Sequence, residues 1–99
     1  MTTPEPTITA TRYEVSCLPP EHAAHRRSTV AIERRGPDSW AVMIDGFAHD
    51  AHGEPSIEPR PSERTDEWLA RYRFDLETAT AVASKLARIA AAMLTGGAR

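Results

Sequence analysis

The chain has no asparagine and no glutamine, one lysine (Lys85) and one cysteine (Cys17) among its 99 residues. A lone cysteine cannot form an internal disulfide and suits a reducing compartment, so a cytoplasmic location is expected. No apolar run approaches the length of a membrane span, and Met1-Thr2-Thr3-Pro4-Glu5-Pro6 has neither basic nor apolar signal character. No membrane partner is expected. Charge of one sign is lacking too: 12 basic against 14 acidic residues give −2, neither a polyanion-binding footprint nor an acidic tail. Large aliphatic residues and phenylalanine are scarce, which predicts a thin core. The low net charge opposes disorder, and the length suits one domain.

What is present most clearly is one amphipathic helix over 75–94. Leu76, Ala79, Val82, Ala83, Leu86, Ile89, Ala90 and Met93 recur at steps of three and four, which gathers them on one side of an α-helix. Glu77, Ser84, Lys85 and Arg88 fall opposite. Asp75 stands where an N-cap carboxylate accepts from orphan N–H groups, and Gly96-Gly97 supplies the stop. Ala87, Ala91 and Ala92 flank the stripe. They reflect either alanine's helix propensity or a second contact surface, such as a homodimer seam.

Upstream, period-two alternation predicts strands. Within 8–18, Tyr13, Val15 and Cys17 alternate with Arg12, Glu14 and Ser16, and Pro19-Pro20 ends the run. Residues 28–35 alternate through Val30 and Ile32. Gly36-Pro37-Asp38-Ser39 turns the chain, and 40–47 returns as Trp40-Val42-Ile44 against Ala41-Met43-Asp45. Asp50-Ala51-His52-Gly53 signals another turn, and Pro55, Pro59 and Pro61 keep the piece after it at an edge or out of the sheet. Residues 68–74 fit either a strand, with Trp68, Ala70, Tyr72 and Phe74 inward and Arg71 and Arg73 outward, or a helix started by Thr65-Asp66-Glu67. The strand is favoured because Asp75 then caps the next helix at once.

The expected fold is α+β: an antiparallel sheet of about four strands with one long C-terminal amphipathic helix packed on one face. Residues 1–7 read as a flexible N-terminal tail, 8–95 as a single domain and 96–99 as a C-terminal tail. The sheet face away from the helix would carry Arg12, Glu14, Glu33, Met43, Asp45, Arg71 and Arg73.

Candidate chemistry is sparse. His22-Ala23-Ala24-His25 and His49-Asp50-Ala51-His52 each place two imidazoles three apart, but in polar loops, where metal geometry is not enforced. Cys17 is expected on the inward strand face, where cysteine is a small hydrophobe and not a nucleophile. Glu54, Glu58, Glu63, Asp66 and Glu67 are scattered and form no acid–base pair on one element. No catalytic residue, metal ligand or cofactor is therefore expected. Arg26-Arg27, Arg34-Arg35, Arg60, Arg64, Arg71 and Arg73 suit phosphate, yet acidic residues intervene at nearly every cluster.

Several segments together carry a resemblance: Arg12-Tyr13-Glu14-Val15-Ser16-Cys17-Leu18-Pro19, Trp40-Ala41-Val42, Asp45-Gly46-Phe47, Asp50-Ala51-His52-Gly53-Glu54, Ser62-Glu63-Arg64-Thr65-Asp66-Glu67-Trp68-Leu69-Ala70 and Arg73-Phe74-Asp75. From Arg12 to the helix the chain resembles a group of small uncharacterised proteins of actinobacteria and their phages. The resemblance implies a source and a shared fold. It assigns no residue a role, since the group has no assigned activity. Arginine as 11 of 12 basic residues, with asparagine and glutamine absent, agrees with the GC-rich codons of such genomes.

The functional expectation is a small non-enzymatic accessory or interaction protein that binds another protein. Arg12, Met43, Arg71 and Arg73 are its first candidate contacts, since arginine and methionine are enriched at interfaces. The alternative is weak arginine-mediated binding of nucleic acid.

Overall fold

Alternating apolar and charged residues on either side of Pro37-Asp38 fold back on each other as the central hairpin of the sheet. The computed structural model describes residues 3–96. Strands β1 (Arg12–Val15), β2 (Val30–Gly36), β3 (Ser39–Ile44), β4 (Phe47–His49) and β5 (Pro55–Ser56) are followed by helices α1 (Asp66–Tyr72) and α2 (Leu76–Thr95). The strands form an antiparallel meander in the order β1-β2-β3-β4-β5. The α+β class holds, with five strands and two α-helices among the described residues. Residues 1–2 and 97–99 of the expected tails, including Gly97 of the helix stop, lie outside the described residues.

The fifth strand comes from a turn inside the segment expected to run unbroken over 40–47. Asp45 and Gly46 both take positive φ, 50° and 81°, and pair Ile44 with Phe47 in a two-residue hairpin. Asp-Gly favours such a turn because its right-handed strand twist needs φ > 0 at both central positions. Strand β1 ends at Val15, short of Cys17. Cys17 is exposed rather than inward, because Ser16 breaks the alternation by bonding through its side chain to both the N–H and the C=O of Leu18.

The segment 68–74, expected as a strand, is helical through Tyr72. Thr65 caps α1 by accepting from the N–H of Trp68 (3.0 Å). Helical spacing stacks Trp68 on Tyr72 with ring centroids 4.9 Å apart. Only Phe74 keeps extended pairing, in a single bridge to Trp40 (N–H to O 2.8 and 3.0 Å). Asp75 then caps α2 by accepting from Thr78 N–H at 2.7 Å.

Helix α2 crosses one sheet face. Val30, Ile32, Trp40 and Val42 meet Val82, Leu86 and the fully buried Ala79, Ala83 and Ala87 in one core. The three alanines sit four residues apart, so the helix presents a shallow ridge and lies close to the strands. Of the three alanines expected to flank the stripe, Ala87 and Ala91 are buried within the chain and Ala92 is half-buried. Helix α2 also touches the 3₁₀ turn Arg26–Ser28 of the β1–β2 connection, where Ala24 and Ser28 are buried too. Toward its end α2 outruns this cover, leaving Ile89 and Met93 of the predicted stripe exposed.

The turn after β4 is fitted against α2. Gly53 has φ +85°, and a Cβ there would come within 3.2 Å of Leu86 Cδ2, whereas Gly46 faces open space. Gly46→Ala should therefore cost only its backbone strain, about 1 kcal/mol, and Gly53→Ala measurably more. Urea unfolding of the two variants beside the parent checks that order.

Candidate functional site

The sheet face opposite α2 is read from the register. Arg12 opposes Glu33, Glu14 opposes Ala31, and Ala31 opposes Met43, so these side chains share one surface. Met43 opposes Ala48, and Ala48 opposes Ser56, which carries the same face to the far edge. Trp68 of α1 covers that far end, its Nε1 donating to Ser56 Oγ at 3.1 Å. The face is therefore half covered and not fully open. Over β1 to β3 it remains a hollow of about 520 Å³, with Ala31 and Met43 among the charged side chains of Arg12, Glu14, Glu33 and Asp45. His25, Arg26 and Thr29, from the β1–β2 connection, also line it.

A chain of ion pairs crosses this surface. Arg12 bonds Glu14 at 3.0 Å and Glu33 at 2.6 Å; Arg35 bonds Glu33 at 3.2 Å. Arg35 then grips Glu58 in a two-point contact, Nε to Oε1 and NH2 to Oε2, both 3.2 Å. Arg64 lies 3.8 Å from Glu58, and Arg73 donates to it directly. Three guanidinium groups thus surround one carboxylate. Burial pushes the Glu58 carboxyl up, but Arg35 and Arg73 outweigh it and hold it below the usual range. Burial dominates at Arg73 and lowers its pKa despite Glu58.

The four candidate contacts are split by this arrangement. Arg12 and Met43 stand together in the hollow. Arg73 does not face solvent: its side chain is 6% exposed, bonded to Glu58 and laid over the Trp68 ring at 4.9 Å. Arg71 is exposed on α1 but committed, its Nε donating to Asp50 Oδ2 at 2.7 Å. The outward placement of both followed from the strand expectation; on a helix and its cap they turn to carboxylates on neighbouring loops.

Asp50 is the buried anchor of that side, and its role was hidden in a segment that reads simply as a turn. It is 1% exposed. Oδ1 accepts from the N–H groups of His52 (2.9 Å) and Glu54 (2.8 Å), while Oδ2 takes Arg71. Aspartate bonding the main chain two residues on is the usual device of such turns, so the signal was available. Glu58 had none: only the fold brings Arg35, Arg64 and Arg73 to it.

Three of the four histidines have local ring contacts. His22 Nδ1 accepts from Ala24 N–H at 3.0 Å, His25 Nδ1 lies 2.8 Å from Leu18 O, and His49 Nδ1 lies 2.9 Å from Phe47 O. Among the described residues no three His, Cys, Asp or Glu side chains converge as a metal site, and no helix is long and apolar enough to cross a membrane.

Burial raises the Asp50 pKa, but Arg71 and the Glu54 and His52 N–H groups outweigh it and bring it from 3.8 to about 2. The folded pKa is depressed, so the associated stability, about 2 kcal/mol, is complete above the unfolded pKa and lost as pH falls from about 4 to 2. Asp50→Asn should be less stable than the parent by about that amount at neutral pH. The gap should narrow across the same acid window, which denaturant unfolding as a function of pH measures.

No family model, curated protein or solved structure matches this chain, so what this surface does rests on its own chemistry.

Proposed function

We propose that the chain is a small non-enzymatic interaction module whose hollow on the half-covered sheet face seats a segment of another protein. The observation that carries this reading is the pairing of the arginines of β1, β2 and α1 that border this face. Arg12, Arg35, Arg71 and Arg73 each donate to a carboxylate of the same chain and Arg64 lies 3.8 Å from one, while Arg26, Arg27, Arg34, Arg60 and Arg88 make no ion pair among the described residues. A surface for nucleic acid keeps its guanidinium groups free for phosphate, because counterion release supplies most of that affinity. What the hollow offers instead is mixed: Met43 and Ala31 within a ring of both charges, with Arg26 and Asp45 making no ion pair among the described residues. An apolar centre inside a polar rim is the layout of a protein interface.

The acting residues in this proposal are Met43, as the apolar contact, and Arg12 and Arg26 on the rim. Arg71 and Arg73 are support: they hold α1 and the following bridge in place. A cytoplasmic setting, and a source among actinobacteria or their phages, belong to the same proposal.

Met43→Glu places a carboxylate beside Glu33 and Asp45 without disturbing the α2 core. Capture of a host protein by the parent should be lost with this variant while its melting temperature stays within a few degrees. Cross-links from the captured protein should fall on the hollow. Equal capture by both forms would exclude this face. The nucleic-acid alternative is checked in parallel by fluorescence anisotropy at low salt, where micromolar protein is expected to give no salt-sensitive binding.

A further inference from the structure

The two edges of the sheet are unlike. At one end β5 is two residues long, begins with Pro55 and is followed by Pro59 and Pro61, devices that stop further pairing. At the other end β1 has no proline, no lysine and no bulge. It pairs in continuous register from Arg12↔Glu33 to Val15↔Val30, and three of its four residues are exposed.

The outer main chain of β1 is free. Thr11 C=O accepts from Arg34 N–H at 2.9 Å, which fixes the alternation of the ladder. Tyr13 and Val15 turn their N–H and C=O groups toward β2, whereas Arg12 and Glu14 turn theirs outward. Among the described residues no turn, loop or cap bond reaches those outward groups.

We propose that two copies of this chain pair antiparallel along β1, with the two-fold axis at Tyr13, joining their sheets into one. The self-complementary charges select that register. With the axis at Tyr13, Arg12 of each copy lies directly opposite Glu14 of the other, and both residues offer the outward main-chain groups that such a pair exchanges. The side chains are about half exposed, 52% and 57%, and pair with each other within one copy at 3.0 Å, a contact the dimer would exchange for the same pair across the axis. On the helix side Tyr13, 43% exposed and packed 5.7 Å from Trp40, meets its own copy as a close non-hydrogen-bonded pair. The extended arm before β1, with fully exposed Ile8, then runs along the second copy. Because β5 is blocked, the assembly closes at two copies. The hollow is not needed for this pairing, although Arg12 and Glu14 line both, so each copy's hollow would border the other's across the axis.

Sedimentation equilibrium over a concentration series tests the pairing, since mass is read independently of any captured protein. The parent should approach twice 10.9 kDa. Glu14→Pro removes the outward N–H and the carboxylate that pairs with Arg12, leaves the β1–β2 ladder bonds in place, and should return the mass to that of one chain with its circular dichroism unchanged. Should proline disturb the fold, two charge variants decide. Arg12→Glu and Glu14→Arg each oppose like charges with their own kind and should each weaken self-association by about tenfold. Mixed together they oppose unlike charges and should form a one-to-one heterodimer. A parent that stays at one chain mass at its highest soluble concentration overturns the proposal. So does a folded Glu14→Pro that still dimerises, or a mixture of the charge variants that stays apart.

Discussion

The close approach of α2 to the sheet is the constraint on which the structure depends. Large apolar side chains are few, so the two layers can exclude water only by lying near each other. Alanine at 79, 83 and 87 makes that possible, each fully buried against strands that supply Val30, Ile32, Trp40 and Val42. A larger residue on that ridge would lift the helix and open voids along its length, and tightly packed interiors tolerate neither voids nor overfilling. The same closeness demands that the neighbouring turn be slim, which is why a glycine faces Leu86.

With the apolar layer so thin, charged groups position the remaining parts. Asp50 ties the β4–β5 turn to α1 through Arg71, and Glu58 draws together β2, the proline-bearing loop and the end of α1 through Arg35, Arg64 and Arg73. Both carboxylates are shielded from water, so their partners matter more than those of exposed pairs such as Arg12 with Glu14. This division also shapes the surface: arginines consumed as braces leave a hollow of balanced charge on the face they border.

Local signals carried much of the fold. The α2 stripe, its Asp75 cap and the β2–β3 hairpin were legible because each is decided within a few residues. The Asp45-Gly46 turn was equally local, yet it stood within an apolar alternation that reads smoothly through it. Residues 68–74 satisfied both periods at once: Trp68, Ala70, Tyr72 and Phe74 alternate, while Trp68 and Tyr72 are also one helical turn apart. The structure takes the helical period, with Thr65 capping Trp68 N–H and Trp68 stacked on Tyr72, and Arg71 and Arg73 then meet Asp50 and Glu58. Of the site, Arg12 and Met43 were legible from strand parity. His25 and Arg26 were not, because they reach the hollow on a connection whose path only the packing of Ala24 and Ser28 against α2 determines.

The contact between Gly53 and Leu86 joins a turn to a helix 33 positions further along the chain. Neither position is free to diverge alone. A lineage that trims Leu86 to a smaller residue relieves the crowding at 53 but not the demand for positive φ, which favours glycine, asparagine or aspartate there. Among descendants of this sequence the two sites should therefore drift as a coupled pair. The turn would move only within that short alphabet, and the helix position would set how much of the alphabet is open.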